Sequence, residues 1–254
     1  MKVRIKFSKE GPAVYVGHLD TMRYFQKAIR RADLSPSFTQ GYSPHMIMSF
    51  AAPLGVGVES LGEYFDVELG RDDFTERDIV ERLDREMAEG FHVLGAVRVE
   101  GGKNKNAMSL VAACDYLVTL KEDLPFSLEE GMRELLSRKE ILITKEGKAG
   151  LREVDIRPWI YEARVPGPEG TALGDQGGIG PGSRGEERET AEGKAVFLRL
   201  AAASSNYTKA EQVMEALARL KGLEEIPCRV KRLEVYAQRE EGDFVSLLDL
   251  GEKL

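Results

Sequence analysis

Cysteine, histidine and tryptophan are scarce in this chain, which carries two, three and one of them in 254 residues. Cys114 and Cys228 lie far apart, so there is no disulfide framework, no Cys-x-x-Cys pair and no thiolate cluster, and both read as small buried hydrophobes. Long apolar runs are missing too. The stretch 46–58 is broken by Ser, Pro and Gly and falls short of the roughly 20 residues a membrane helix needs. The N-terminus, Met-Lys-Val-Arg-Ile-Lys-Phe, alternates charged and apolar residues and lacks the apolar core of a signal peptide, so a cytoplasmic protein is expected. No P-loop, dinucleotide fingerprint, nucleophile elbow or His-Glu-x-x-His sequence occurs, and no cofactor or metal is expected.

Charge is present and unevenly spread. Residues 1–57 hold eight Lys/Arg against three Asp/Glu, a balance of +5, so with a net charge of −7 the rest of the chain carries −12. A basic segment on an acidic protein points to a local anion-binding surface.

Periodicity divides the chain into two similar halves. In residues 1–100, residues 3–7 alternate as a strand, and a helix over 20–32 places Met22, Phe25, Ile29 and Ala32 on one face. Extended segments over 37–50 surround a Gly41-Tyr42-Ser43-Pro44 turn, and 63–69 alternates again. Thr75 and Asp78 open a second helix with Phe74 stapled on Ile79, Gly90 stops it, and 91–99 is the last strand. In residues 109–254 the pattern recurs. A strand over 116–120 precedes a helix capped by Ser127 and Glu130, then a strand over 141–144 and a hairpin pair over 154–165 and 195–201. A helix opened by Thr208 and Glu211 and a strand over 229–236 close the unit. The expected fold is α+β, two ferredoxin-like βαββαβ units in tandem, with the boundary in 101–108. Residues 166–193 hold nine Gly, three Pro and no aromatic, too little apolar surface to offset their ordering entropy, and read as a disordered insertion in the second unit.

Several residue groups point to chemistry. Arg23, Lys27, Arg30 and Arg31 fall on the helix face opposite the apolar stripe, a cationic stripe suited to phosphates or to plain solvation. Gln40-Gly41-Tyr42-Ser43-Pro44-His45 sets an aromatic and an imidazole in a sharp turn; Tyr42 reads either as a ring that stacks on a base or as a cover for the core edge. His18 and His45 are the histidines available for acid and base work, with Asp20 as the helix cap, whereas His92 sits in an apolar strand and reads as structural. In the second half Arg157 and Trp159, two residues apart, share a strand face and form either a groove or a cation stacked on a ring.

Gly17-His18-Leu19-Asp20, Arg23, Arg30-Arg31-Ala32, Gln40 to His45, and Ser49-Phe50-Ala51-Ala52-Pro53-Leu54-Gly55-Val56-Gly57 running to Glu63-Tyr64 resemble the N-terminal signature of the radical SAM-linked family. Glu153-Val154-Asp155-Ile156-Arg157-Pro158 resembles a second signature of that bacterial family, and Ser205-Asn206-Tyr207-Thr208 is a looser match. The resemblance implies a radical SAM protein as partner, fused or encoded nearby, and no known reaction. A radical SAM enzyme holds its cluster through three closely spaced cysteines; two distant ones place that chemistry in the partner. The expected function is an accessory, non-catalytic module that binds RNA through Arg23, Lys27, Arg30, Arg31, Tyr42, His45 and Arg157. The alternatives are a metal-independent endoribonuclease using His18 and His45, or a protein-interaction scaffold for the radical SAM enzyme.

Overall fold

A computed structural model describes residues 1–102, 105–147, 150–166, 193–240 and 242–254. It is a mixed α+β chain whose described residues form eleven strands and five α-helices. The first part contains β1 (Lys2–Lys9), α1 (His18–Arg31), β2 (Met48–Phe50), β3 (Glu59–Glu68), α2 (Glu76–Asp84), β4 (Phe91–Arg98) and α3 (Ala107–Leu110). The second contains β5 (Val111–Leu120), α4 (Leu128–Ser137), β6 (Leu142–Gly147), β7 (Gly150–Asp155), β8 (Ile160–Arg164), β9 (Ala195–Ala201), α5 (Ala210–Leu220), β10 (Cys228–Gln238) and β11 (Phe244–Ser246). Two compact units emerge: unit 1 is Met1–Ala113 with Arg232–Leu254, and unit 2 is Cys114–Lys231. β10 thus begins in unit 2 and ends in unit 1. No helix among the described residues is long and apolar enough to cross a membrane.

In unit 1, β1 lies between β4 and β3, antiparallel to both, and β2 adds three residues to β3 through Met48↔Val67 and Phe50↔Phe65. Alternation along β1 sends Val3, Ile5 and Phe7 to one face, each at most 1 % exposed. Phe7 meets Phe25 of α1 at 4.6 Å and Phe50, Phe65 and Phe91 at 5.8 to 6.4 Å, so one ring organises the core. The helix expected over 20–32 starts at His18 instead, with Gly17 as its N-cap and Asp20 inside the first turn. Helix α2 has the full capping box: Thr75 Oγ1 accepts from Asp78 N–H, and the Asp78 carboxylate accepts from Thr75 N–H. It ends at Asp84, earlier than Gly90, which serves a different purpose. Gly90 holds φ +89° where a Cβ would come within 2.2 Å of Glu10 O, and its own carbonyl accepts from Glu10 N–H at 2.8 Å.

In unit 2, β9 pairs antiparallel with β8 in the order β5-β9-β8, and β6 and β7 form a separate two-stranded ribbon. The strand expected over 154–165 is divided: β7 ends at Asp155, Arg157–Trp159 makes a 3-10 turn, and β8 begins at Ile160. Pro158 explains the break, since it has no N–H for a ladder and its fixed φ suits the turn. Ser127 Oγ accepts from Glu130 N–H, half of the expected box. The Thr208–Glu211 box is displaced by one residue, because α5 starts at Ala210 and the Gln212 side chain accepts from both Lys209 N–H and Thr208 Oγ1. All but the two end residues of the expected insertion at 166–193 lie outside the described residues.

Candidate functional site

The positive surplus of residues 1–57 is mostly not on the surface. Lys2, Arg4 and Lys6 occupy the face of β1 opposite the core, and each meets a carboxylate of unit 1. Arg4 grips Asp66 with two hydrogen bonds, Nε to Oδ1 at 2.8 Å and Nη2 to Oδ2 at 3.2 Å, and donates to Leu247 O at 3.1 Å. Asp66 Oδ2 also accepts from Ala107 N–H at 2.8 Å, with Lys2 Nζ 3.4 Å away. Lys6 Nζ lies 2.6 Å from Glu234 Oε2, and Arg232 Nη1 2.9 Å from Glu63 Oε1. Pairs buried this deeply are structural, because removing one partner strands a charge. Lys9 Nζ donates to Val16 O at 2.7 Å, tying down the 3-10 turn before α1, and burial lowers its pKa.

This arrangement leaves α1 as the source of surface charge in the segment. Arg23 pairs with Asp20 at 3.3 Å and Arg31 with Glu86 at 2.7 Å. Lys27 and Arg30 are exposed and make no ion pair among the described residues. Arg30 instead lies over the Phe38 ring at 5.3 Å, which joins the helix to the segment that follows it.

That segment, residues 36–47, is a braced arm. Ser37 N–H donates to Glu68 O at 2.8 Å, Ile47 N–H to Ser37 O at 2.9 Å, and Thr39 N–H to His45 O at 2.9 Å. Leu34 and Met46 are buried at its base. Thr39 Oγ1 also accepts from His45 N–H and lies 3.1 Å from His45 Nδ1, which closes the turn around Gly41 at φ +118°. Tyr42 stands at the tip with its side chain fully exposed, so it covers no core edge.

His18 lies apart from this arm. Its ring sits edge-on to Phe50 at 5.4 Å and lines a cavity of about 10 Å³ with Lys9, Thr21 and Glu63. That volume holds no more than one water, and Thr21 Oγ1, buried there, has no hydrogen-bond partner among the described residues. No hydrogen bond joins His18 to His45. His92 is not buried in its strand: its side chain is exposed, 3.8 Å from Asp84.

In unit 2, Arg157 Nε donates to Leu136 O at 3.0 Å, which ties that guanidinium to the end of α4. The cation over Trp159 is Lys145 of the ribbon, at 4.6 Å, rather than Arg157. Sequence reading passed over Lys145 because nothing local signals that a ribbon lysine meets a ring fourteen residues on. Among the described residues no group of three or more His, Cys, Asp or Glu is placed to hold a metal ion.

A crystal structure of a Cbf5-Nop10-Gar1 complex resembles this chain at 13 % identity and a TM-score of 0.43, covering 92 % of this chain and 48 % of the other. The chain therefore spans about half the length of that protein, and the likeness is too slight to carry an argument. No curated protein matches the chain. A family model does match, over residues 2–177, well over half of the 254 residues. The chain belongs to the family described as uncharacterized protein conserved in bacteria (DUF2344).

Proposed function

We propose that the protein is an accessory, non-catalytic module that binds RNA or an RNA-containing assembly and works in the cytoplasm beside a radical SAM protein. The observation that carries the RNA reading is Tyr42: a fully exposed ring on a hydrogen-bonded arm, joined through the Arg30–Phe38 contact to a helix face bearing Lys27 and Arg30. A base stacks on any flat ring, and nearby cations neutralise the phosphates on either side of it. A braced arm loses little entropy when the base arrives. The partner reading rests on the resemblance of residues 17–64 and 153–158 alone. Any iron–sulfur chemistry falls to that partner, since Cys114 is buried and stands far in sequence from Cys228.

We also read both units as ferredoxin-like. Support comes from the antiparallel order β4-β1-β3 with β2 on β3, linked by α1 and α2, and from β5-β9-β8 with α4 and α5 in unit 2.

Fluorescence anisotropy with labelled single-stranded RNA at two salt concentrations tests the RNA reading. Tyr42→Ala should weaken binding by about 1–3 kcal/mol, the worth of one stacked base. Arg30→Glu should weaken it further and flatten its salt dependence. If affinity is independent of salt and both variants bind like the parent, the reading is wrong.

A further inference from the structure

The ribbon of unit 2 sets like charges opposite each other. Lys145 of β6 is the register partner of Arg152 of β7, and directly opposed like charges destabilise a strand pair. Alternation places both on the ribbon face that also carries Ile143, which is 1 % exposed, so this face turns toward the body of the unit. The ribbon's Glu146 and Glu153 fall on the opposite face. Asp155 is already taken, its Oδ1 accepting from Ile141 N–H at 2.8 Å and from Arg157 N–H at 2.9 Å.

Lys145 is held here by three contacts. Its ammonium lies 4.6 Å from the Trp159 ring and 6.0 Å from the Tyr207 ring and donates to Tyr207 O. Burial lowers its pKa first, and the charges of Arg152 and then Lys209 lower it further. None of the three cations forms an ion pair among the described residues. An isolated surface lysine would relieve such repulsion by moving into water, whereas this one rests against the Trp159 ring and donates to Tyr207 O. Ser204, Ser205 and Asn206 beside Tyr207 are exposed.

We propose that unit 2 carries a nucleotide site in which Lys145, Arg152 and Lys209 hold the phosphate and Tyr207 flanks the base, with Trp159 seated beneath the lysine. A dianionic phosphate matches three neighbouring cations and removes their mutual repulsion on binding. The phosphate can arrive on a free mononucleotide or on a nucleotide of an RNA strand. The site is independent of the Tyr42 arm, so either can fail without the other.

Trp159 is the single tryptophan of the chain, which makes its emission a direct reporter. The full-length protein is titrated with adenosine monophosphate, with a short 5′-phosphorylated single-stranded RNA, and with plain adenosine, following Trp159 fluorescence and confirming by calorimetry. A saturable change with the nucleotide or the RNA, absent with adenosine, supports the site, and the tighter ligand identifies the source of the phosphate. Lys145→Gln should weaken binding about tenfold or more while Tyr42→Ala leaves the Trp159 signal unchanged. Arg152→Gln and Lys209→Gln alter exposed side chains and repeat the test should Lys145→Gln fail to fold. Absence of saturation by both phosphate ligands, or variants that bind like the parent, overturns the proposal.

Discussion

Tyr64 and Glu234 form the polar contact most open to a residue-scale test. The phenol donates to Glu234 Oε1 at 2.6 Å and lies 2.9 Å from Ser246 Oγ, and Glu234 also accepts from Lys6 and from Val235 N–H. Burial, and then the Glu234 charge, raise the Tyr64 pKa well above its ordinary value. The unfolded phenol ionises near pH 10 while the folded one stays neutral, so the contribution of this group is fully present below about pH 10. It is lost as pH rises through the folded value. Tyr64→Phe should cost about 1–3 kcal/mol near neutrality, and the gap between parent and variant should narrow above pH 10, as urea unfolding at pH 8 to 11 will measure. A gap independent of pH would mean that Tyr64 ionises alike in both states. The charged residues on β1 were legible as an alternation, but their burial was not. Arg4 is 1 % exposed because Asp66, Leu247 and Lys105 meet it from sequence-distant segments.

At the scale of elements, local chemistry located the helices well and their ends less well. The Thr75–Asp78 box needs only residues three apart and was readable directly. The displaced start of α5 was not, since Thr208 and Lys209 compete for the same Gln212 side chain. Gly90 was readable as a stop, yet its role is to let the turn before β4 approach Glu10. Gly90→Ala should therefore cost more than the roughly 1 kcal/mol of a strained left-handed alanine, because the added methyl also collides with Glu10 O. Thermal unfolding will show it, and a change within about half a kcal/mol would mean that the turn relaxes freely. The Tyr42 arm shows the same division. Gly41 and Pro44 announced a turn, whereas its bracing by Ser37 and its link to Arg30 depend on β3 and α1 being in place.

For the whole molecule, the return of Arg232–Leu254 to unit 1 has a direct consequence. Arg232 answers the buried Glu63, and Glu234 answers Lys6 and Tyr64. A chain ending at Lys231 should leave the buried Glu63 without its guanidinium partner and lose hydrogen-exchange protection in β1 and β3, because breaking a buried ion pair costs about 3–5 kcal/mol. Protection retained in those strands would show that unit 1 stands without its last segment. The sequence by itself determined the α+β class, the core faces of β1 and α1, the two-cysteine limit on cluster binding and the turn around Gly41 and Pro44. Each of these follows from periodicity or composition within a short window. Only the tertiary structure decided where the charges went: Lys2, Arg4 and Lys6 of β1 onto carboxylates and Lys9 onto a backbone carbonyl, Lys145 against Trp159, and β10 from one unit into the other. A charge is solvated or buried according to which distant carboxylate or ring the fold brings to it, and no local pattern encodes that meeting.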